Sequence, residues 1–414
     1  MASIPNPQEN DSHAARVLPW LLGGVGFCIF LGVYAVQSLL PYFRHLFHAS
    51  AGQVSLTVSA ATIAVALAAP FVGIAIDRWH RRHTIVVALF ALAVTGLLAA
   101  TATSLQTLEF WRFAQGLFVP LAYVATLSYI KESVPAGRVG STTAAFVTGN
   151  VLGGYTGRAL TGGFAQQLGW APSYALLGAL GLVGAILVLW KLPHAHRERP
   201  PHLGLAGMKQ WWPMLRTPML LAIFAAGFNT LFVQVAMFTY VNFHLAAAPY
   251  NLGSGALASI FAVYLLGVVV TPQAGKLIDR FGYRLVFFGA TATALAGVLL
   301  TLAPPLWAVV TGLAVCASGV FVCQSAATSS LGMAAGPRHS LASGLYLTFY
   351  YLGGSVGGAL PGVFWQSGGW FSCVLLVGAL QIVTMAIAWV FWPRHEARTG
   401  APGRGEAKTG LVEA

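Results

Sequence analysis

The chain has 414 residues, of which 57% are hydrophobic and only 8% are charged. A soluble domain carries about 25% charged residues. This composition, with a mean hydropathy of +0.74, excludes an ordinary soluble protein and predicts one that spans a lipid bilayer. The net charge of +12 would suit nucleic acid, but the placement of the cations along the chain points to a different explanation.

The apolar residues form twelve runs that are long enough to cross a membrane, for which about 20 residues are needed. The predicted spans are residues 18–41, 54–76, 84–103, 107–130, 140–164, 173–192, 217–243, 255–278, 285–303, 306–331, 341–365 and 370–392. The residues before the first run are polar, and that run is long enough to remain in the membrane, so we expect no cleavable signal. The predicted fold is an all-α membrane protein with twelve transmembrane helices.

Lysine and arginine collect on one side of the predicted membrane, which the positive-inside rule makes the cytoplasmic side. Only Arg44 falls on the other side, and Arg112 and Arg158 lie within spans. Both termini are therefore predicted to be cytoplasmic, with the protein in the inner (plasma) membrane of a bacterium. The basic charge is a topology signal, and nucleic acid is not an expected partner.

Two Gly-rich stretches lie 200 residues apart and share many letters: NVLGGYTGRALTGGFAQQLGW at 150–170 and YYLGGSVGGALPGVFWQSGGW at 350–370. GIAIDRWHRR at 73–82 likewise matches GKLIDRFGYR at 275–284. This offset equals six spans, so the two halves repeat in the same orientation. The predicted domains are a cytoplasmic tail 1–17, a six-helix bundle 18–192, a cytoplasmic loop 193–216, a second six-helix bundle 217–393 and a cytoplasmic tail 394–414.

These phrases resemble the major facilitator superfamily of transporters. GIAIDRWHRR resembles its signature loop, RFAQG at 112–116 resembles its fourth-helix motif, and the Gly-rich fifth helix resembles a motif of its drug–proton antiporters without the usual Gly-Pro. GNVLGGYTGR and GLYLTFYYLGGSVGGALPGVFW resemble the YnfM-type branch of efflux proteins. The resemblance implies two pseudo-symmetric six-helix bundles, transport by alternating access and a monomeric protein.

The resemblance also implies a cytoplasmic gate at the signature loops, where a carboxylate such as that of Asp77 would meet the positive end of a neighbouring helix. His80 stands where the family usually has glycine. The glycine rows of the fifth and eleventh helices pack helices tightly. A second interpretation adds a sliding surface between the halves that closes one gate, and both interpretations can hold. The predicted gating residues are Gly73, Asp77, Arg78, Arg81, Arg82, Gly153, Gly157, Gly275, Asp279, Arg280, Gly353 and Gly357.

In the family, the first, fourth, seventh and tenth helices line a central cavity. Here they supply hydrogen-bonding groups between aromatic surfaces, which suit a medium-sized amphipathic organic molecule. The predicted substrate-binding residues are Tyr34, Gln37, Arg112, Gln115, Tyr123, Asn229, Gln234, Phe238, Tyr240 and Gln324. None of the ten acidic residues is placed at mid-membrane, so a polycation or a divalent metal would lack a counter-charge, and we expect a neutral or anionic substrate.

Arg158 lies in the fifth span, where the second copy of the repeat has Gly358. A cation at the centre of a span costs about 2.5–3.5 kcal/mol on insertion scales. The side chain either extends to the outer interface or joins Glu109 and Arg112 of the antiparallel fourth helix. We predict this Glu109–Arg112–Arg158 cluster as the proton-coupling site, with Glu109 as the group that binds the proton.

The sequence contains no GxxxxGK[ST] loop, so an ATP-driven motor is not expected. It also predicts no catalytic residue, cofactor or metal site, because the four cysteines lie in apolar runs without metal-ligand spacing. The expected function is proton-coupled export of a small amphipathic compound, with lipid, substrate and protons as partners. An importer of a small organic anion, and a transporter-like sensor that binds a ligand without moving it, stay open as alternatives.

Overall fold

A computed structural model of the chain describes residues 7–78, 80–193, 211–336 and 339–392, with the side chains of 7–16, 73–78, 136, 339 and 340 outside that description. Helices α1 to α14 are Pro7–Leu31, Leu40–Leu46, Ala51–Arg78, Arg81–Ala99, Leu105–Ser133, Ala136–Leu168, Trp170–Lys191, Trp211–Leu215, Pro218–Ala246, Ser254–Ile260, Leu266–Leu300, Leu306–Ala335, His339–Ala359 and Pro361–Phe391. Two 3₁₀ helices precede α2 and α11, namely Ala35–Leu39 and Phe261–Leu265. These ranges contain no β-strand.

The helices supply the twelve predicted membrane crossings, although several crossings are broken or joined. Eight helical segments are long and apolar enough to cross a membrane on their own, and the bent pair formed by α1 and α2 makes a ninth. One of the eight runs from α10 to the end of α11 and is interrupted at Gly282, which has a φ of 77°, so it makes two crossings. Two further crossings complete the twelve. One is helix α6, and the other is α13 together with the first turns of α14.

The repeat that the sequence predicts is visible in the turns that end the fifth and eleventh crossings. Gly169 has a φ of 84° and Gly369 has a φ of 60°. A side chain other than glycine rarely adopts this backbone region. Both residues come directly before a buried tryptophan, Trp170 in one half and Trp370 in the other. The shared Gly-Trp letters therefore correspond to the same reversal of the chain in each half.

The helices of each half pack mainly on one another. In the N-terminal half α1 packs on α6, α3 packs on α5, and α4 packs on α5 and α7. In the C-terminal half α9 packs on α13 and α14, while α11 packs on α12. The main contacts between the halves are made by α3 with α13 and by α6 with α10. This arrangement confirms the predicted all-helical fold of two related bundles.

Candidate functional site

The first membrane crossing is broken where α1 gives way to the 3₁₀ helix Ala35–Leu39. A helix that ends inside the protein leaves carbonyl groups without intrahelical donors. Arg112 on α5 supplies donors here, because its guanidinium donates to the carbonyls of Gly32, at 2.7 Å, and Val33. A third bond, of 3.3 Å, reaches the Thr57 carbonyl on α3. The fully buried Arg112 therefore stabilises the break in the first crossing.

Gln115 lies one turn further along α5 and completes the environment of Arg112. Its side-chain oxygen accepts a hydrogen bond from the guanidinium, and its amide nitrogen lies 3.4 Å from the Leu92 carbonyl. Both Arg112 and Gln115 were predicted to bind substrate. In this conformation their polar atoms are engaged by the protein, so their direct contact with a substrate stays a prediction.

Arg158 on α6 is 5% exposed, which rules out a side chain that extends to the lipid headgroups in this structure. Its Nε and Nη2 atoms donate to the same oxygen, Oε1 of Gln37, at 2.9 and 2.7 Å. Its Nη1 atom donates to the carbonyl of Gly154, one turn earlier on α6, at 2.7 Å. The burial favours the alternative in which Arg158 has an electrostatic role inside the protein.

Three aromatic rings surround the guanidinium of Arg158. Its central carbon lies 4.9 Å from the ring centre of Tyr34, 4.7 Å from that of Phe261 and 4.9 Å from that of Tyr264. Tyr34 belongs to the break in the first crossing, whereas the other two rings lie on the 3₁₀ helix of the opposite half. A cation held against aromatic faces gains about 0.5–2 kcal/mol per contact, more when water is excluded. The broken helices of both halves thus meet around one cation.

Gln37 connects Arg158 to the C-terminal half of the protein. Its side-chain oxygen accepts from Arg158, while its Nε2 atom donates to the hydroxyl of Thr239 on α9 at 3.1 Å. The arginine, which has donors only, fixes which end of the amide faces it. As a result, the amide nitrogen of Gln37 is directed toward the C-terminal half. All three side chains are buried.

The predicted Glu109–Arg112–Arg158 cluster is not formed in this structure. Glu109 is half-buried near the start of α5, and among the described residues no ion pair within 4.0 Å joins it to either arginine. The reason is the direction of the two guanidinium groups, since Arg112 reaches the carbonyls at the end of α1 and Arg158 reaches Gln37. Helical spacing correctly placed Glu109 and Arg112 on one helix but did not determine what each one contacts.

The glycine rows pack helices within each half. A side chain built on Gly153 or Gly157 of α6 would collide with backbone carbonyls of α1. In the same way, Gly353 and Gly357 of α13 lie against backbone atoms of α9. These four residues were predicted to gate, with a sliding surface between the halves as one interpretation. The structure instead supports the packing interpretation, because each row faces a helix of its own half.

A different set of small residues joins the two halves, and we call this region the closed end. A Cβ atom built on Gly162 of α6 would lie 2.5 Å from Ala258 Cβ and 2.6 Å from the Ser254 carbonyl, both on α10. Gly52 of α3 meets Gly362 of α14, where a Cβ built on Gly362 would lie 2.7 Å from the Gly52 Cα atom. Glycine at these positions lets the backbones of the two halves approach closely.

Hydrogen bonds reinforce the closed end. Ser59 on α3 and Ser355 on α13 each donate to the backbone carbonyl of the other, at 2.8 and 3.3 Å. The Ser254 hydroxyl donates to the Gly162 carbonyl at 2.9 Å. Tyr240, a predicted substrate-binding residue, is fully buried in this region and donates to the Gly358 carbonyl at 2.8 Å. Its hydroxyl thus holds α13, the helix that contacts α3 of the other half.

The other predicted substrate-binding residues lie on the helices to which they were assigned, but they do not form one group. Phe238 is buried, with its ring centre 4.4 Å from that of Tyr264, and Gln234 is half-buried on the same helix α9. Tyr123 packs edge-on against Phe30. The remaining two are Asn229, which is buried with a side-chain oxygen that has no partner in the described residues, and the half-buried Gln324.

Sequence reasoning missed a group of aromatic side chains on α13. Tyr346, Tyr350 and Tyr351 are each buried, and the ring centres of Tyr346 and Tyr350 lie 6.0 Å apart. The Tyr346 hydroxyl has no hydrogen-bond partner in the described part of the chain. The letters FYY at 349–351 overlap the start of the second Gly-rich phrase. The first copy has no tyrosine at the matching positions, and this difference between the copies was the available signal.

The predicted cytoplasmic gate is only partly described, since the surroundings of Gly73 and the side chains of Asp77 and Arg78 lie outside the described part of the chain. Arg81 forms an ion pair of 3.0 Å with Glu132, which joins the start of α4 to the end of α5. Arg82 donates to a backbone carbonyl near the end of α7. In the second copy the three predicted residues Gly275, Asp279 and Arg280 are exposed. Their gating role stays a prediction.

The chain matches the sequence profile of the Major Facilitator Superfamily over residues 22–272 and 245–414. It is 30% identical over 373 residues to the inner membrane transport protein YnfM of Escherichia coli K12, covering 88% of each chain. It is 29% identical over 377 residues to the MFS-type transporter YybF of Bacillus subtilis 168, covering 91% of this chain and 92% of that one.

A solved structure with a similar fold is a bacterial homologue of the human lysosomal transporter Spinster, in an inward-facing and unoccupied conformation. The two share 14% sequence identity with a TM-score of 0.75, over 91% of this chain and 97% of the other. At this identity the similarity concerns the fold alone. It agrees with the twelve crossings and the two related halves described above.

Proposed function

Because the chain belongs to the Major Facilitator Superfamily, we propose that it is a secondary active transporter that exports a small amphipathic organic compound by alternating access. The compound is neutral or anionic. The observation that carries this choice is the charge of the buried residues: Arg112 and Arg158 are both buried, and neither is paired with a carboxylate among the described residues. A cationic substrate would be repelled by such an interior.

The closed end supports alternating access as the mechanism. The two halves meet there through glycine contacts and a few neutral hydrogen bonds, each of which contributes about 0.5–1.5 kcal/mol to stability. Contacts of this kind hold the halves together and still release them when a substrate binds more tightly to the other conformation. We assign the closed end to the outer side of the inner membrane, because the cations of the sequence then lie in the cytoplasm with both termini.

The predicted domains fit this orientation, with bundles 18–192 and 217–393 moving about a central site and the loop 193–216 in the cytoplasm. We propose that the transporter acts as a monomer. An inward proton gradient drives export in this proposal, and Glu109 is the candidate for the proton-binding group, since it is the half-buried carboxylate on α5 near Arg112.

Transport by purified protein in proteoliposomes tests this function. Pyranine trapped inside reports proton movement while carboxyfluorescein, an amphipathic anion, or the cation ethidium is supplied. We expect proton movement with carboxyfluorescein and none with ethidium. Protons and dye that move in the same direction would make the protein an importer, and binding without any flux would make it a sensor. Coupled movement of ethidium would contradict the proposed substrate charge.

A further inference from the structure

We infer that Arg158 forms the binding subsite for the carboxylate group of an aromatic organic acid, at the point where the broken helices of the two halves meet. This inference rests on the proposed function and narrows its substrate to one chemical class. It assigns Phe261 and Tyr264, which sequence reasoning did not single out, to the walls of that subsite. Three observations carry it: unused donors, an unbalanced charge and aromatic walls.

The first observation concerns the donors of Arg158. A guanidinium has five N–H groups in a planar fork. The described bonds use one N–H each on Nε, Nη1 and Nη2, which donate to Gln37 and Gly154. Donors therefore remain on both terminal nitrogens, and guanidinium donors form strong charge-assisted hydrogen bonds with carboxylate oxygens.

The second observation is the charge itself. Arg158 is 5% exposed, and no carboxylate of the described residues lies within 4.0 Å of it. Breaking a buried ion pair by removing one partner is strongly destabilising, because the remaining charge stays uncompensated. Gln37 supplies a neutral oxygen, which solvates the cation without balancing its charge. A bound anion would supply the missing negative charge, and a neutral analogue of the same shape would not.

The third observation is the composition of the surroundings. Tyr34, Phe261 and Tyr264 place ring faces within 4.9 Å of the guanidinium carbon. Phe238 extends this aromatic surface, since its ring lies against that of Tyr264. An acid with an aromatic body would pack on such rings, where offset or edge-to-face pairs add about 0.5–1.5 kcal/mol beyond buried area. An aliphatic or strongly hydrated anion such as phosphate would not use these walls.

Only one of the two repeated halves contains this subsite. Gly358, which matches Arg158 in the second half, lies against Ser59 of α3 and has no side chain to carry a charge. One arginine per chain predicts one carboxylate per binding event. Because the rings around Arg158 come from both halves, a ligand held there contacts both halves at once, as a substrate in alternating access must.

Binding to the purified protein tests the inference, with 2-naphthoate as the probe and 2-naphthamide as its neutral analogue. We expect 2-naphthoate to raise the melting temperature of the wild-type protein in a saturable way and 2-naphthamide to have no comparable effect. Arg158→Gln should weaken 2-naphthoate binding at least tenfold. Arg158→Lys should also weaken it, because an ammonium group lacks the planar donors of a guanidinium.

Gln37→Glu is the decisive variant, since it places a carboxylate directly on Arg158. We expect this protein to fold as well as the wild type and to lose 2-naphthoate binding at least tenfold, because the charge is already balanced. Thr239→Val is the matched control. It removes the hydrogen bond from Gln37 to the other half and keeps the charge of Arg158, so 2-naphthoate should still bind.

Equal binding of 2-naphthoate to the wild type and to a folded Gln37→Glu protein would overturn the inference. So would equal responses of the wild type to acid and amide, or no response to either. These results are independent of the transport assay. Coupled flux of carboxyfluorescein without 2-naphthoate binding would retain the proposed function and reject the subsite, whereas binding without any flux would retain the subsite and reject transport.

Discussion

Ser59 and Ser355 donate hydrogen bonds to each other's backbone carbonyls, at 2.8 and 3.3 Å, and so connect α3 of one half to α13 of the other. The two residues are 296 positions apart in the chain. The same region brings Gly52 against Gly362 and Gly162 against α10. The closed end is thus built from small side chains and backbone groups, whose close approach is sensitive to added volume.

Gly162→Val should prevent the closed end from forming, because its side chain would overlap Ala258 and the Ser254 carbonyl. We expect a shift toward conformations that are open at this end, and transport reduced at least tenfold. Distances between spin labels on α6 and α10 would measure the opening. Gly163→Val is the matched control, since a Cβ at the adjacent Gly163 meets nothing within 4 Å. Equal opening in both variants would contradict the assignment of the closed end.

Gly157→Ala should destabilise the N-terminal half without acting on the contact between halves. The added methyl group would collide with the Leu31 carbonyl of α1, and overpacking of this kind costs about 1–3 kcal/mol. A lower melting temperature in detergent would measure the effect. Gly140→Ala on the same helix has open space around it and should be neutral or stabilising by up to about 1 kcal/mol. A Gly157→Ala protein as stable as the wild type would show that α1 and α6 adjust freely.

Arg112→Lys should lower stability although it keeps the positive charge. One ammonium group cannot reach all the carbonyl oxygens that the guanidinium serves, and each buried acceptor left unpaired costs about 1–3 kcal/mol. Glu132→Gln is the comparison, because it weakens a partly exposed ion pair with Arg81 and should cost about 1 kcal/mol or less. Equal melting temperatures for the two variants would argue against Arg112 as the group that stabilises the broken crossing.

Glu109→Gln and Arg158→Gln should have independent effects, because no ion pair joins these residues. Effects of separate sites add within about 0.5 kcal/mol. If Glu109 binds the coupling proton, Glu109→Gln should remove the dependence of flux on the proton gradient, and Arg158→Gln should leave that dependence in its residual flux. Stability and flux of both single variants and the double variant test this. An interaction energy between the two substitutions well above 0.5 kcal/mol would support the charge cluster that the sequence predicted.

The sequence by itself determined the class of the protein and its overall architecture. A charged fraction of 8% and twelve apolar runs are properties of local composition, and the bilayer requires helices from such runs. The repeated Gly-Trp letters were also visible in the sequence, and the structure explains them, because Gly169 and Gly369 both have a positive φ that favours glycine. These features depend on residues that are close together in the chain.

The tertiary structure alone decided what the polar groups and glycines contact. The period of a helix places Gly153 and Gly157 on one face, but it does not say whether that face meets a helix of the same half or of the other. Arg158 meets Gln37 across 121 positions, and Gln37 meets Thr239 across 202. Such contacts depend on how whole helices break and pack, and the break at Ala35–Leu39 has no marker in the apolar pattern of its run.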